Sequence, residues 1–191
     1  MEQLFNQLEK ESAQFQQVSG LGCISGCGKC CSYPHIEASP LEFLPWAFHL
    51  FLTGEAEHML ERLNNTSRSH CFLFQPLSLE GHGHCGSYAF RGLICRLFGF
   101  GATRDKYGSL RLATCKIIRE GQVEKYHSVS EAIAQGLYVP VFTDYYMQLN
   151  QIDYQMGSKI VPVNKALKLA LEEVLQYYTY RPLPDAGIQC V

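Results

Sequence analysis

Apolar positions recur with a helical period at both ends of the chain and lose that period in the middle. From residue 2 to 18, Leu4, Phe5, Leu8 and Phe15 fall near one stripe, with Glu and Gln filling the remaining surface. This pattern predicts an amphipathic helix that stops ahead of Ser19-Gly20-Leu21-Gly22. Ser39, Pro40 and Glu42 form a second start signal: a serine to cap, a proline already at helical φ, and a glutamate placed to reach back. The apolar run behind them passes through Trp46 and Phe51 to Gly54, and Pro45 within it kinks the helix or delays its start. A short helix is predicted over residues 55–63, closed by Asn64-Asn65-Thr66-Ser67. Periodicity resumes at Ser128, which has capping-box spacing to Glu131. Thr143-Asp144 opens a tyrosine-rich helix, and Asn164 caps a last one with Leu167, Leu171, Val174, Leu175 and Tyr178 on one face. The tail after Arg181, with Pro182 and Pro184, reads as loose.

Between Cys71 and Cys115 the glycines at 81, 83, 86, 92, 99, 101 and 108 break any long helix. Leu110 and Leu112 alternate with Arg111 and Ala113, which predicts a strand pairing with residues 97–103 across a turn at 104–108. The expected fold class is mainly α (α+β), with helices flanking a small irregular, β-containing, cysteine-rich metal-binding centre. A length of 191 residues suits one domain, 1–191, with a cysteine-cluster core over 20–120 and a helical part over 125–180.

Charge narrows the function classes. Eighteen acids against 16 bases leave a net charge of −2, which offers no source of phosphate neutralisation or lipid attraction. The expectation is no nucleic acid and no membrane. The longest apolar stretch, residues 43–52, is interrupted by Pro45 and His49 and falls far short of the ~20 residues of a membrane span. The opening Met1-Glu2-Gln3-Leu4-Phe5 has no basic segment followed by an apolar one, so a cytoplasmic protein is expected.

Nine cysteines change the picture. Cys23, Cys27, Cys30 and Cys31 lie within nine residues, and Cys71, Cys85, Cys95 and Cys115 spread over the middle. In a reducing compartment, thiols at such spacing read as metal ligands or redox groups rather than disulfides. If the first stretch keeps near-helical pitch, Cys23, Cys27 and Cys30 converge on one side and Cys31 is turned away. Its glycines leave backbone N–H groups free to donate to sulfur, which offsets the charge of a thiolate-bound metal. Cys190, alone near the end, is expected not to be a ligand. The first group should come within metal-bridging reach of at least two members of the second.

The pattern C-x3-C-x2-C-C, then Cys71-Phe72-Leu73, Gly83-x-Cys85-x-x-Tyr88 and Arg91-x-x-x-Cys95-Arg96-x-Phe98 resembles the YkgJ-like cysteine-cluster family. Its members are described as zinc- or iron-chelating, or as iron–sulfur-cluster-containing proteins. The resemblance covers about Cys23 to Cys115, half the chain. It implies ligand roles among Cys23, Cys27, Cys30, Cys31, Cys71, Cys85 and Cys95, with Arg91 and Arg96 flanking the cofactor. Where the family pattern has R-P-x-x-C-R, Gly92 replaces the proline, so the local turn geometry is open. Cys115, after the predicted strand, is a further candidate ligand.

Arg91 and Arg96 would screen a negatively charged thiolate centre and donate hydrogen bonds to it, and Arg96, inside an apolar run, suits a partly buried structural role. His82-Gly83-His84 and His70 read as solvated residues rather than ligands. Uneven cysteine spacing suits an iron–sulfur cluster somewhat better than zinc, which favours paired C-x2-C knuckles. The expected role is a metal-centred module that is structural, electron-holding or metal- and redox-sensing, more than an enzyme. The alternative is an enzyme using a cluster on Cys23, Cys27 and Cys30, of radical S-adenosylmethionine or flagellin-lysine-methylase-like type. Lys29, where such enzymes carry an aromatic, and the absence of alternating strands and helices stand against it. The later aromatics Tyr138, Phe142, Tyr145, Tyr146 and Tyr154 are expected to form plain core.

Overall fold

The computed structural model describes residues 1–78 and 82–183. The expectations for Cys190 and for the tail's last residues lie outside this range. The protein is mainly α, with helices taking 54% of the described residues and short strands 12%. The strands form three separate antiparallel pairs: β1 (Glu37–Ala38) with β6 (Val161–Pro162), β2 (Phe74–Pro76) with β3 (Gly83–Cys85), and β4 (Gly101–Arg104) with β5 (Leu110–Ala113). No helix among the described residues is long and apolar enough to cross a membrane.

Helix α1 (Glu2–Ser19) ends where predicted, because Gly20 takes the left-handed conformation at φ 61° and returns its N–H to Gln16 O. Its Leu4, Phe5 and Leu8 pack with Leu41, Leu93, Leu97, Tyr145 and Leu149, while Phe15 joins Leu21, Ala102, Leu112, Ile118, Val129 and Ile133. One amphipathic stripe thereby serves two parts of the core. Residues 40–43 make a 3-10 turn and α2 (Leu44–Leu52) begins only afterwards, with Pro45 in its first turn. The delayed start follows from the proline ring, which is tolerated only where no N–H is required. Helix α3 (Ala56–Asn64) and the long α9 (Val163–Thr179) cover the third part of the core, around Phe43, Trp46, Ala166, Leu167, Ala170 and Leu171.

The middle holds only one turn and a half of helix, α4 (Leu93–Leu97), between the β2–β3 and β4–β5 hairpins. Residue 97 therefore belongs to a helix rather than to the predicted strand, and the β4–β5 register runs from Gly101 opposite Ala113 to Arg104 opposite Leu110. Two helix starts also differ from expectation. Helix α5 (Lys116–Gly121) is followed by α6 (Val123–Ala134), which runs through Ser128, so the Ser128–Glu131 spacing caps nothing. Burial sets that boundary: Ile118, Val129 and Ile133 face one apolar cluster, and this outweighs a local cap signal. Helix α7 (Phe142–Ile152) opens at the predicted place, followed by the single turn α8 (Tyr154–Gly157). Helix α9 starts at Val163 after Pro162, and the Asn164 side chain serves a distant loop instead of the helix end.

Candidate metal centre

The stretch from Cys23 to Cys31 is a chain of turns, not a helix. Gly26 sits at φ 71°, and bonds from Cys27 N–H to Ile24 O (3.1 Å) and from Ser32 N–H to Gly28 O (2.9 Å) close two successive turns. The expected convergence of Cys23, Cys27 and Cys30 by helical pitch is therefore replaced by another arrangement. The glycines favour it, since each costs a helix about 1 kcal/mol relative to alanine.

Both ends of this loop are tied to the molecule. Gly22 exchanges two hydrogen bonds with the Gln122 side chain (3.2 and 2.7 Å), and Lys125 Nζ donates to Gly20 O at 3.0 Å. Farther along, Cys27 bridges His82, Gly83 N–H donates to Gly26 O (3.0 Å), and Cys71 N–H donates to Cys31 O (3.3 Å). The loop thus lies between the α5–α6 junction and the β2–β3 hairpin.

The thiols sort by these anchors rather than by sequence group. Cys23 lies near the Cys27, Cys115 and Cys30 thiols. Cys31 takes the Cys71 N–H bond on its carbonyl, and Cys31 and Cys85 both pack against the cluster that holds Cys71. Cys95 has Cys71, Cys85 and Cys30 around it. Cys71 is buried, Cys27, Cys31, Cys85, Cys95 and Cys115 are half-buried, and Cys23 and Cys30 are exposed. Among the described residues no three His, Cys, Asp or Glu side chains stand ready to hold one metal ion.

Backbone N–H groups point at several sulfurs. The N–H groups of Leu73 and Phe74 lie beside the Cys71 sulfur, Phe74 N–H donating to Cys71 O at 3.1 Å, and that of Ser87 lies beside Cys85. Ile118 N–H reaches Cys115 Sγ at 3.4 Å. Such donors favour the thiolate over the thiol, and they are the usual outer partners of sulfur ligands.

Burial works the other way. It pushes Cys23 up to about 11, helped by Cys27, Cys115 and Cys30, and pushes Cys71 up to about 11, where the Leu73 and Phe74 donors resist. Burial also raises Cys85, and it raises Cys95, where Cys71 and Glu42 add to the effect. Cys30 lies below its ordinary value because the Cys31 thiol donates to it, and Cys31 lies above for the same reason. Clustered thiols hold their protons because like charges cannot gather without a counter-charge. A cation among them supplies that counter-charge and displaces the protons.

Arg91 is the guanidinium that faces the thiols, acting on Cys30 and Cys85. It lies 3.6 Å from the Tyr88 ring centroid and pairs with Glu9 at 3.3 Å. Arg96 turns away from the sulfurs: it pairs with Glu9, donates to Arg91 O (2.9 Å) and Ala89 O (2.7 Å), and lies against the Phe5 ring. Only 10% of its side chain is exposed. Its role is to clamp the loop before α4 onto α1.

Glu42 carries more than its sequence role implied. Its side chain is fully buried, and its carboxylate accepts from Ser39 N–H (2.8 Å), Ile94 N–H (2.9 Å), Leu93 N–H and Tyr146 O–H (3.0 Å). Burial raises its pKa against those donors. The carboxylate holds the start of α4 one residue ahead of Cys95. Gly92 permits the approach, because a Cβ there would lie 2.9 Å from Glu42 Oε2 and 2.9 Å from the Phe43 ring. Its φ of −64° is one proline also adopts, so contact with Glu42 and Phe43, and not backbone conformation, is what favours glycine here. The clue in the sequence was a carboxylate set directly before Phe43, Leu44 and Trp46.

Asn164 is the second residue that sequence reasoning did not assign to the site. It accepts from Phe72 N–H (2.7 Å) and donates to His70 O (2.9 Å) and Arg68 O (3.1 Å), fixing the backbone on both sides of Cys71. His82 and His84 are exposed, and His70 stands edge-on to Phe74. Of the aromatics expected to be core, Tyr145 is buried and Phe142 and Tyr146 pack beside it, whereas Tyr138 and Tyr154 are exposed. Comparison with family models, curated proteins and solved structures finds no match to this chain.

Proposed function

We propose that the chain is a cysteine-cluster protein of the YkgJ-like kind that holds an iron–sulfur cluster through its thiols, in a structural and electron-holding role. The observation that carries this reading is the packing of the cysteine-bearing segments: Cys31 and Cys85 pack against the cluster that holds Cys71, Cys71 N–H donates to Cys31 O, and Ile94, the neighbour of Cys95, packs against the same cluster. Cys30, Cys31, Cys71, Cys85 and Cys95 are the residues that would hold the cluster, and Arg91 would balance its charge. Such a group supplies one-electron storage whose potential depends on hydrogen bonds to sulfur and on burial.

Uneven ligand spacing favours a cluster over one tetrahedral zinc ion. The non-enzymatic reading draws support from the strands, which form three separate two-stranded antiparallel pairs and not the alternating strands and helices of a partial barrel. The test is anaerobic purification followed by iron, sulfide and zinc analysis and visible absorption. Iron and sulfide with charge-transfer bands that bleach on reduction are expected. Colourless protein holding only zinc overturns the cluster, and protein free of any metal overturns the function.

A further inference from the structure

We propose that the cleft formed by helix α3 and the segment after it binds a hydroxyl-bearing phosphate monoester, the chemistry shared by sugar phosphates and ribonucleoside monophosphates. The cleft has a volume of about 410 Å3, within the range of small-molecule sites. No cysteine lines it, and the inference does not depend on the chain holding a metal.

Helical spacing builds one side. His58, Glu61, Arg62 and Asn65 stand at i, i+3, i+4 and i+7, so α3 and its cap present them on one face. Ala56 and Leu63 are buried in the core with Met59 and Leu60 packed against it, which leaves the polar face to solvent. Thr66, Arg68 and Phe72 complete the cleft. Their backbone is already fixed: Arg68 N–H donates to Thr66 Oγ1 (3.4 Å), and Asn164 bonds to Arg68 O, His70 O and Phe72 N–H. The Arg62 guanidinium lies over the Phe72 ring, 5.3 Å from its centroid. A site ordered in advance lowers the entropic cost of binding.

Charge assigns the ligand. Arg91, Arg96, Arg104 and Arg111 each pair with a carboxylate. Arg62 and Arg68 are exposed and, among the described residues, neither makes such a pair. Two uncompensated guanidiniums in one cleft, with the Asn65 amide and the Thr66 hydroxyl beside them, offer the donors that phosphate oxygens take. The C-terminal end of α3 opposes an anion with about half a unit of charge, which two full cationic charges outweigh. Glu61 lines the same cleft and, among the described residues, pairs with neither arginine. Its carboxylate is an acceptor for ligand hydroxyls, and Phe72 is the apolar surface for the carbon skeleton that carries them. Free phosphate has no use for either residue, so the cleft fits an organic monoester.

The test titrates the full chain, purified anaerobically, with ribose 5-phosphate, adenosine 5′-monophosphate and inorganic phosphate in a calorimeter, and locates binding by hydrogen exchange read by mass spectrometry. The expected result is one-to-one binding of a monoester, tighter than inorganic phosphate, weakened by salt, with exchange slowed over residues 58–72. Equal affinity for the two monoesters identifies the sugar phosphate as the recognised unit; a preference for the nucleotide adds the base. Arg68→Ala, and Arg62→Lys, which keeps the charge but loses the planar fork, should each weaken monoester binding by about tenfold. Glu61→Ala should strengthen inorganic phosphate and erase the monoester's advantage. Arg119→Ala, which removes an exposed guanidinium outside the cleft, should change nothing. Absence of saturable binding by all three probes, or equal weakening by Arg119→Ala, overturns the site. Inorganic phosphate that binds as tightly as both monoesters overturns the ligand class. Neither result touches the metal analysis, by which the proposed function stands or falls separately.

Discussion

Replacing Gly92 by alanine tests whether the buried carboxylate and the cysteine-bearing helix form one mechanical unit. A Cβ at this position would lie 2.9 Å from Glu42 Oε2, 2.9 Å from Phe43 Cζ and 3.0 Å from Phe43 Cε1. Neither neighbour is free to move. Glu42 is fully buried and bound by donors from three elements, and Phe43 is 2% exposed in the densest part of the core. Overpacking of this kind costs about 1–3 kcal/mol. The backbone itself offers no objection, since φ is −64°, and alanine would return about 0.4–1 kcal/mol by restricting the unfolded chain. The net expectation is a loss of about 1–2 kcal/mol, or a fall in Tm of about 2–8 °C for a chain of this size. Gly121→Ala is the control: no atom lies within 4 Å of its Cβ, so only the gain remains. Urea denaturation followed by circular dichroism measures both. A Gly92→Ala protein as stable as wild type would refute the close packing of Glu42 on α4.

Three further outcomes follow from the same contacts. Glu42→Leu leaves the N–H groups of Ser39, Leu93 and Ile94 and the Tyr146 hydroxyl without their acceptor, at about 1–3 kcal/mol per buried orphan, so loss of the native near-ultraviolet circular dichroism is expected. Asn164→Ala removes three hydrogen bonds to the 68–72 segment, and at about 1 kcal/mol each it should lower the urea midpoint and speed alkylation of Cys71. Glu11 is the pH-sensitive contact. Burial alone would raise its pKa, but hydrogen bonds from Tyr138, Tyr145 and Gln7 outweigh it and hold the carboxyl below its ordinary 4.5. A depressed folded-state pKa means stability that is present above the unfolded value and lost as pH falls through the folded one. Glu11→Gln should therefore flatten the acid limb of a stability–pH profile below about pH 4.5, and an unchanged limb would count against the cluster.

The helices at both ends were legible because their signals are local. An apolar stripe in α1 with Gly20 behind it, and the Ser39-Pro40-Glu42 start, need no information from elsewhere in the chain. Where the reading failed, a local signal met a stronger tertiary one. Ser128 has the right residue three positions on, yet Ile118 and Val129 share an apolar cluster that draws α5 and α6 upstream of it. Asn164 stands where a cap would stand, but its amide meets three backbone groups more than ninety residues away in sequence. No window of neighbouring residues contains that partner.

The site divides along the same line. Residue type and spacing mark the cysteines as candidate ligands, because each sulfur's chemistry is its own. Which sulfurs share a centre depends on where the loop is tied down, and those ties are long-range: Gly22 to Gln122 at one end, Gly26 and Cys31 to the β2–β3 hairpin and Cys71 at the other. Two anchors on opposite flanks hold the ends of a nine-residue motif, so Cys23 follows the Gly22–Gln122 tie while Cys31 is hydrogen-bonded to Cys71. Glu42 shows the converse. As a capping glutamate it was visible, but its second use, holding Leu93 and Ile94 ahead of Cys95, required α4 to be packed against the 40–43 turn with a glycine at the point of contact. One carboxylate thereby couples the start of α2 to the placement of a candidate ligand, and a change that weakens either end should be felt at Cys95.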